Sequence, residues 1–167
     1  MKYCDNFDRL CEALEGAGAF LVVEDGKGRV NAMTIGWAQL GVIWGEPVMT
    51  VLVRPSRHTH AMLEKAAGFT VCVPRRGEMK KELAFCGSKS GREYDKIRAC
   101  ALALKDGAAP GLKYIDGCAL VYHCAMHGGT QLAPETLAPE ALGKYYGPAE
   151  APHKLYFGKI LKAESFR

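Results

Sequence analysis

Two short segments of the chain set hydroxyl groups and cations together beside predicted helices: Arg54-Pro55-Ser56-Arg57-His58-Thr59 and Cys86-Gly87-Ser88-Lys89-Ser90-Gly91. In the first, Pro55 stiffens a loop that feeds a helix. A helix N-terminus carries unpaired N–H groups and partial positive charge, which favours phosphate. Ser56 and Thr59 add hydroxyl donors, and Arg57 adds a planar fork that suits a phosphate group. The alternative is that Ser56 or Thr59 merely caps the helix while the arginines stay in solvent. In the second segment, two glycines, two hydroxyls and Lys89 can cradle an anion. The alternative there is a helix-ending turn with Gly87 as the C-cap.

A third segment, Asn31-Ala32-Met33-Thr34-Ile35-Gly36-Trp37, reads as a strand. Strand alternation sets Asn31, Met33, Ile35 and Trp37 on one face and Ala32, Thr34 and Gly36 on the other. A glycine inside a strand marks a bulge or a close backbone approach. Thr34 and the strand backbone can serve the polar edge of a flat ring. A flat ring and a phosphate together point to flavin mononucleotide (FMN).

Other sites are excluded by spacing. No Gly-x-Gly-x-x-Gly follows a strand, which argues against a dinucleotide fold and for FMN over FAD. Gly36 and Gly41 are spaced like a phosphate-loop pair, but Val42 follows where that loop needs lysine. His123 and His127, if on a strand, stand about 13 Å apart and share no metal. The seven cysteines, at positions 4, 11, 72, 86, 100, 118 and 124, contain no Cys-x-x-Cys pair. They read as reduced thiols, several of them in the core, so no metal site is assigned.

The elements that position these segments follow from periodicity. Phe7, Leu10, Cys11 and Leu14 have helical spacing, closed by Gly16 and Gly18. Ala19 to Glu24 is a predicted strand, 25–28 a hairpin turn, and Val30 to Leu40 a return strand. Further strands are predicted over Val48–Val53, Phe69–Val73, Ile115–Met126 and Leu155–Lys162, with Gly128-Gly129 as a turn. Helices are predicted over His58–Ala67, around Met79, Leu83 and Cys86, and over Tyr94–Ala101. The prolines at 134, 139 and 148 break up the stretch between. Strands outnumber helices and follow one another through tight turns, which predicts a mainly β, α+β chain: a closed antiparallel barrel with peripheral helices.

The chain has 167 residues, enough for one domain over 1–167 with a full core. Its formal charge of +4 lacks the concentrated basic face of a nucleic-acid binder. No apolar run approaches the ~18 residues of a membrane span. No basic, apolar leader precedes the first predicted helix, so the cytoplasm is the expected compartment.

In this order the segments resemble the flavin reductase-like family of FMN-binding split barrels, in its flavoredoxin-type branch. The resemblance rests on residues 31–37, Gly-Val-Ile-Trp-Gly-Glu-Pro at 41–47, Val-Arg-Pro-Ser-Arg-His-Thr at 53–59, residues 86–91, and His-Lys-Leu-Tyr-Phe-Gly-Lys-Ile at 153–160. It implies an antiparallel split β-barrel and a homodimer with FMN near the subunit interface. It implies that residues 31–37 lie beside the ring, and that Arg54, Ser56, Arg57 and Thr59 form the phosphate site. Cys86, Gly87, Ser88, Lys89 and Ser90 assist, and His153 stands near the flavin face. The implied activity passes electrons from NAD(P)H through FMN to a flavin, another small molecule or a protein acceptor. A pure electron carrier and a non-catalytic flavin-binding protein are the alternatives. Hydride transfer to flavin needs no protein acid or base, so no catalytic residue is assigned. Two departures stand out: residues 127–152 match no family pattern, and Lys159 replaces a residue that is often acidic.

Overall fold

The computed structural model describes residues 2–166. Helix α1, Phe7–Glu15, buries Leu10, and the Gly16 N–H closes it on the Glu12 and Ala13 carbonyls. Gly18 then turns the chain into β1, Ala19–Glu24, with a φ of +93°. A Cβ there would stand 2.6 Å from Thr34 Cγ2, so both conformation and space demand glycine. Asp25 accepts the Lys27 and Arg29 N–H groups and forms the turn into β2, Val30–Ile35.

The predicted strand 30–40 is in fact two. It breaks at Gly36 and Trp37, and β3, Ala38–Ile43, belongs to the far edge of the sheet. The two-residue turn Trp44-Gly45, both with positive φ, leads into β4, Glu46–Val53. The chain continues through α2 (His58–Leu63), β5 (Gly68–Val73), α3 (Lys80–Ser88) and α4 (Lys96–Ala99). A small hairpin follows, β6 (Leu104–Asp106) with β7 (Lys113–Ile115), then the long β8 (Leu120–Gln131). A 3-10 turn at 134–136 and α5 (Pro139–Tyr145) precede β9, Lys154–Ser165. Gly128 and Gly129 are therefore no turn: they pair with Phe157 and Tyr156 inside the β8–β9 ladder.

The main sheet is antiparallel, in the order β2-β1-β5-β8-β9-β4-β3. Leu21, Met33, Met49, Phe69, Tyr122 and Ile160 come from six of its strands and share one core. Hydrogen bonding does not close the sheet, because β2 and β3 are both edges. The expected closed barrel is thus an open, split one. A second core lies outside it, where Phe20, Val22 and Ala32 meet Leu83 and Cys86 of α3. β1 is buried on both faces, and its alternate residues feed the two cores. Among the described residues, no helix is long and apolar enough to cross a membrane.

Candidate functional site

The 54–59 and 86–92 segments meet beside β2. Thr34 Oγ1 donates to the Leu83 carbonyl at 2.6 Å, fixing α3 against the strand. Gly87 packs on Thr34 so closely that a Cβ would stand 3.3 Å from the Thr34 Cβ. Gly87 is therefore not the C-cap. The helix runs on through Ser88, whose hydroxyl donates to the Ala84 carbonyl at 2.8 Å.

Two cations lock the two segments together: Arg57 donates to the Gly87 carbonyl at 2.9 Å and Arg92 to the Ser56 carbonyl at 3.0 Å. Lys96 of α4 holds the second segment from behind, donating to the Cys86 carbonyl at 2.9 Å. The capping alternative does not hold, because the N-cap of α2 is Arg57 and no side chain caps it. The Thr59 hydroxyl instead accepts from Asn31 Nδ2 at 2.9 Å, both residues being buried.

Between the segments lies a pocket of about 530 Å³, within the usual range for small-molecule sites. Met33, Arg54, Ser56, Arg57, Thr59, Ser88, Lys89 and Ser90 line it, as do His58, Gly91, Arg92, Glu93, Lys96 and Glu150. Five of these side chains are Arg or Lys and two are carboxylates, one of which, Glu150, is paired with Arg54. Lys96 is only 4% exposed, and burial first, then Arg57, holds its ammonium below its usual range. Burial followed by Arg92 and Lys96 also keeps the His58 imidazole below its ordinary value. Buried cations that repel one another are costly, and an anion among them offsets that cost. The donor set therefore fits a phosphate group.

The other sequence-predicted residues are placed differently. Asn31 and Thr34 support the segments through the bonds above, and Gly87 contributes its carbonyl. Ile35 and the Cys86 side chain are buried in the two cores and do not reach the pocket. Burial first, and Cys100 second, pushes the Cys86 thiol up to about 12, so what it offers the site is its carbonyl. Gly36 is exposed at the break after β2.

Trp37 and His153 form a second cluster, with ring centroids 4.8 Å apart. Tyr145 packs on Trp37 at 4.9 Å, and the Tyr146 hydroxyl lies 2.7 Å from His153 Nδ1. Burial, then Arg54, pushes the His153 imidazole down to about 4. The ring is therefore neutral at pH 7, and its Nδ1 shares a hydrogen bond with the Tyr146 hydroxyl. Arg54 joins this cluster to the pocket. It pairs with Glu150, donates to the Tyr145 carbonyl at 3.0 Å, and lies 5.5 Å from the Tyr146 ring centroid.

Arg92 follows directly on the 86–91 segment and is legible there as an extra cation. Lys96, in an unremarkable helix, and Glu150, in the unmatched 127–152 stretch, carry no such signal. Lys159 pairs with Glu46 at 2.8 Å, so a local carboxylate answers its charge. His123 is buried, 2.9 Å from Glu164, whereas His127 is exposed against Trp44. The β8–β9 ladder has two bulges, one at Leu161 of β9 and one at His127 of β8, and the second breaks the alternation that would have aligned the pair. A larger groove of about 1070 Å³, between α1 and residues 73–80, contains none of the predicted site residues.

A family model described as "Flavin reductase like domain" matches residues 15–165. The fold is similar to that of flavoredoxin from Methanosarcina acetivorans, with a TM-score of 0.69 and 23% identity over 90% of this chain and 69% of that one. It is similar to an FMN-binding protein of Thermus thermophilus with bound 1-cyclohex-2-enone, at 0.68 and 24% over 88% and 68%. It is also similar to a Streptomyces globisporus NADH:FAD oxidoreductase in complex with NAD and FAD fragments, at 0.61 and 19% over 89% and 75%. No curated protein matches the sequence.

Proposed function

The chain belongs to the flavin reductase-like family, and on that premise we propose that it binds FMN and passes electrons from NAD(P)H to a small-molecule or protein acceptor. The observation that carries this reading is the cation-lined pocket where the 54–59 and 86–92 segments lock together. Bound flavin supplies the redox chemistry, taking a hydride and releasing electrons. The chain supplies binding and orientation. Arg57, Arg92 and Lys96 hold the phosphate. Ser56, Thr59 and Ser90 add hydroxyl donors, and Asn31 orients Thr59. Trp37 and neutral His153 serve the ring end. One phosphate fits one such pocket, which favours FMN over FAD.

The protein works as a homodimer in the cytoplasm. Trp44 and Val42, 65% and 62% exposed around the β3–β4 turn, are apolar surface suited to a second subunit. The similar Streptomyces enzyme, named for NADH, supports a nicotinamide donor.

The test is an anaerobic titration of the FMN-loaded protein with NADH and with NADPH, followed by flavin absorbance. Rapid bleaching by either supports the enzyme. Reduction only by a reduced protein donor identifies an electron carrier instead. A protein that takes up no FMN on reconstitution refutes the whole reading.

A further inference from the structure

Residues 132–151 run over the site with no fully buried side chain; Leu132, Leu137, Leu142 and Tyr146 are half-buried. Their 3-10 turn and α5 contribute nothing to either core. A segment with so little buried surface opens locally at low cost, and what ties it to the barrel is a short set of contacts centred on one guanidinium. Arg54 holds the Glu150 carboxylate, the Tyr145 carbonyl and the face of the Tyr146 ring. Besides these, Tyr145 leans on Trp37, Tyr146 is hydrogen-bonded to His153, and at the segment's start Leu132 donates its N–H to the His153 carbonyl and accepts from Gln131. Arg54 and Glu150 also both line the cationic pocket. A carboxylate thus stands among the pocket's cations, supplied by the segment that covers the neighbouring Trp37–His153 cluster.

We propose that Glu150 is an internal competitor for Arg54, that a phosphoryl ligand entering the pocket displaces it, and that the displacement frees the 132–151 strap from Trp37 and His153. This rests on the functional reading above only in assigning the pocket to a phosphoryl group. A phosphate dianion offers Arg54 a bidentate partner of higher charge than a carboxylate. When Arg54 turns to it, the three contacts to Glu150, Tyr145 and Tyr146 weaken together, because one side chain makes all three. Occupation of the phosphate end then opens the Trp37–His153 end, where a ring or a second substrate would enter. Loading of the pocket and access to the cluster are coupled through one residue.

The test uses the full chain carrying Trp44→Phe, which leaves Trp37 as its one tryptophan. Acrylamide quenching of Trp37 is measured against inorganic phosphate at constant ionic strength, with calorimetry for binding and hydrogen exchange over 139–150. The expected result is a saturable rise in quenching, about twofold, with faster exchange in α5. Glu150→Gln should bind phosphate about threefold tighter, since one competing charge is gone, and should raise the quenching only in part with no phosphate present, since Arg54 keeps its contacts to Tyr145 and Tyr146. Three outcomes each overturn the proposal: phosphate that does not bind, phosphate that binds while Trp37 and α5 stay unchanged, or Glu150→Gln behaving as the parent. FMN uptake by the same proteins separates the two readings. Uptake with an unmoved strap leaves the flavin reading standing alone. A phosphate-driven opening without FMN uptake leaves the strap standing and removes the flavin.

Discussion

Replacing Gly91 with alanine tests the architecture of the pocket with a single methyl group. The Gly91 φ is not in the left-handed region, so the cost is one of space rather than backbone strain. The added Cβ would stand 2.5 Å from Asn31 Oδ1 and 2.7 Å from His58 Cδ2. Ordinary carbon contacts are about 3.5–4.0 Å, so something must move by roughly 1 Å. Asn31 is only 5% exposed and is held by its bond to Thr59, so it yields only by breaking that bond. Overpacking costs about 1–3 kcal/mol, and a lost hydrogen bond about 0.5–1.5 kcal/mol more. The cheaper response is for the loop to lift away, which stretches the Arg92–Ser56 and Arg57–Gly87 bonds that shape the pocket. Urea unfolding should therefore show a loss of about 1–3 kcal/mol, and FMN affinity, followed by flavin fluorescence, should fall at least about tenfold. Gly143→Ala is the control. Nothing lies within 4 Å of its Cβ, and alanine in that helix should be neutral or stabilise by up to about 1 kcal/mol. If Gly91→Ala matches Gly143→Ala in both stability and FMN binding, the close approach of the two segments is not what builds the pocket.

Three further results are expected. Arg57→Ala should weaken FMN binding by about 1.5–3 kcal/mol, the size of a charge-assisted hydrogen bond, and riboflavin, which lacks the phosphate, far less; equal losses would show that Arg57 acts through its tie to Gly87. The folded His153 imidazole titrates at about 4 against an ordinary value of 6.5, so between those values the unfolded chain binds a proton that the folded one does not. Stability should then be complete above pH 6.5 and fall by on the order of 3 kcal/mol as pH drops towards 4, and His153→Gln should flatten that part of a urea-midpoint profile. Light scattering of the FMN-loaded protein should return twice the 18.2 kDa chain mass; a stable loaded monomer removes the dimer.

Local features are legible in the sequence and long-range ones are not. The spacing of Phe7, Leu10, Cys11 and Leu14 and the apolar run 19–24 reveal α1 and β1 because helix period and double-sided burial are written locally. The break at Gly36-Trp37 is invisible, since the alternating pattern continues through it. What separates β2 from β3 is that one pairs with β1 and the other with β4, at opposite edges of the sheet. Gly87 and Gly128 mislead for a related reason. Both read as chain-ending signals, yet Gly87 lets α3 press against Thr34, and Gly128 lies inside the β8–β9 ladder. The hydroxyl-cation segments are legible because phosphate chemistry needs those residue types close together. Lys96 and Glu150 are not. A single lysine or glutamate carries no sign of which way it faces until the elements around it are packed.

The split in the barrel explains why the site lies where it does. A closed sheet would pair β2 with β3 and leave no edge. Here the chain leaves the β2 edge at Gly36 and crosses to the other side. β2 therefore keeps one side unpaired by strand, and α3 and the 54–59 segment fill the space beside it through Thr34 and Asn31. The same crossing puts Trp37 in the connection between the two edges, where it meets His153. His153 is held there by the sheet itself, because it directly precedes β9, whose first residue, Lys154, pairs with Val53 at the end of β4. Arg54 directly follows Val53, so the guanidinium and the imidazole leave the same end of one ladder. That register is why a single arginine can line the phosphate pocket and still reach the Tyr145 and Tyr146 contacts beside His153.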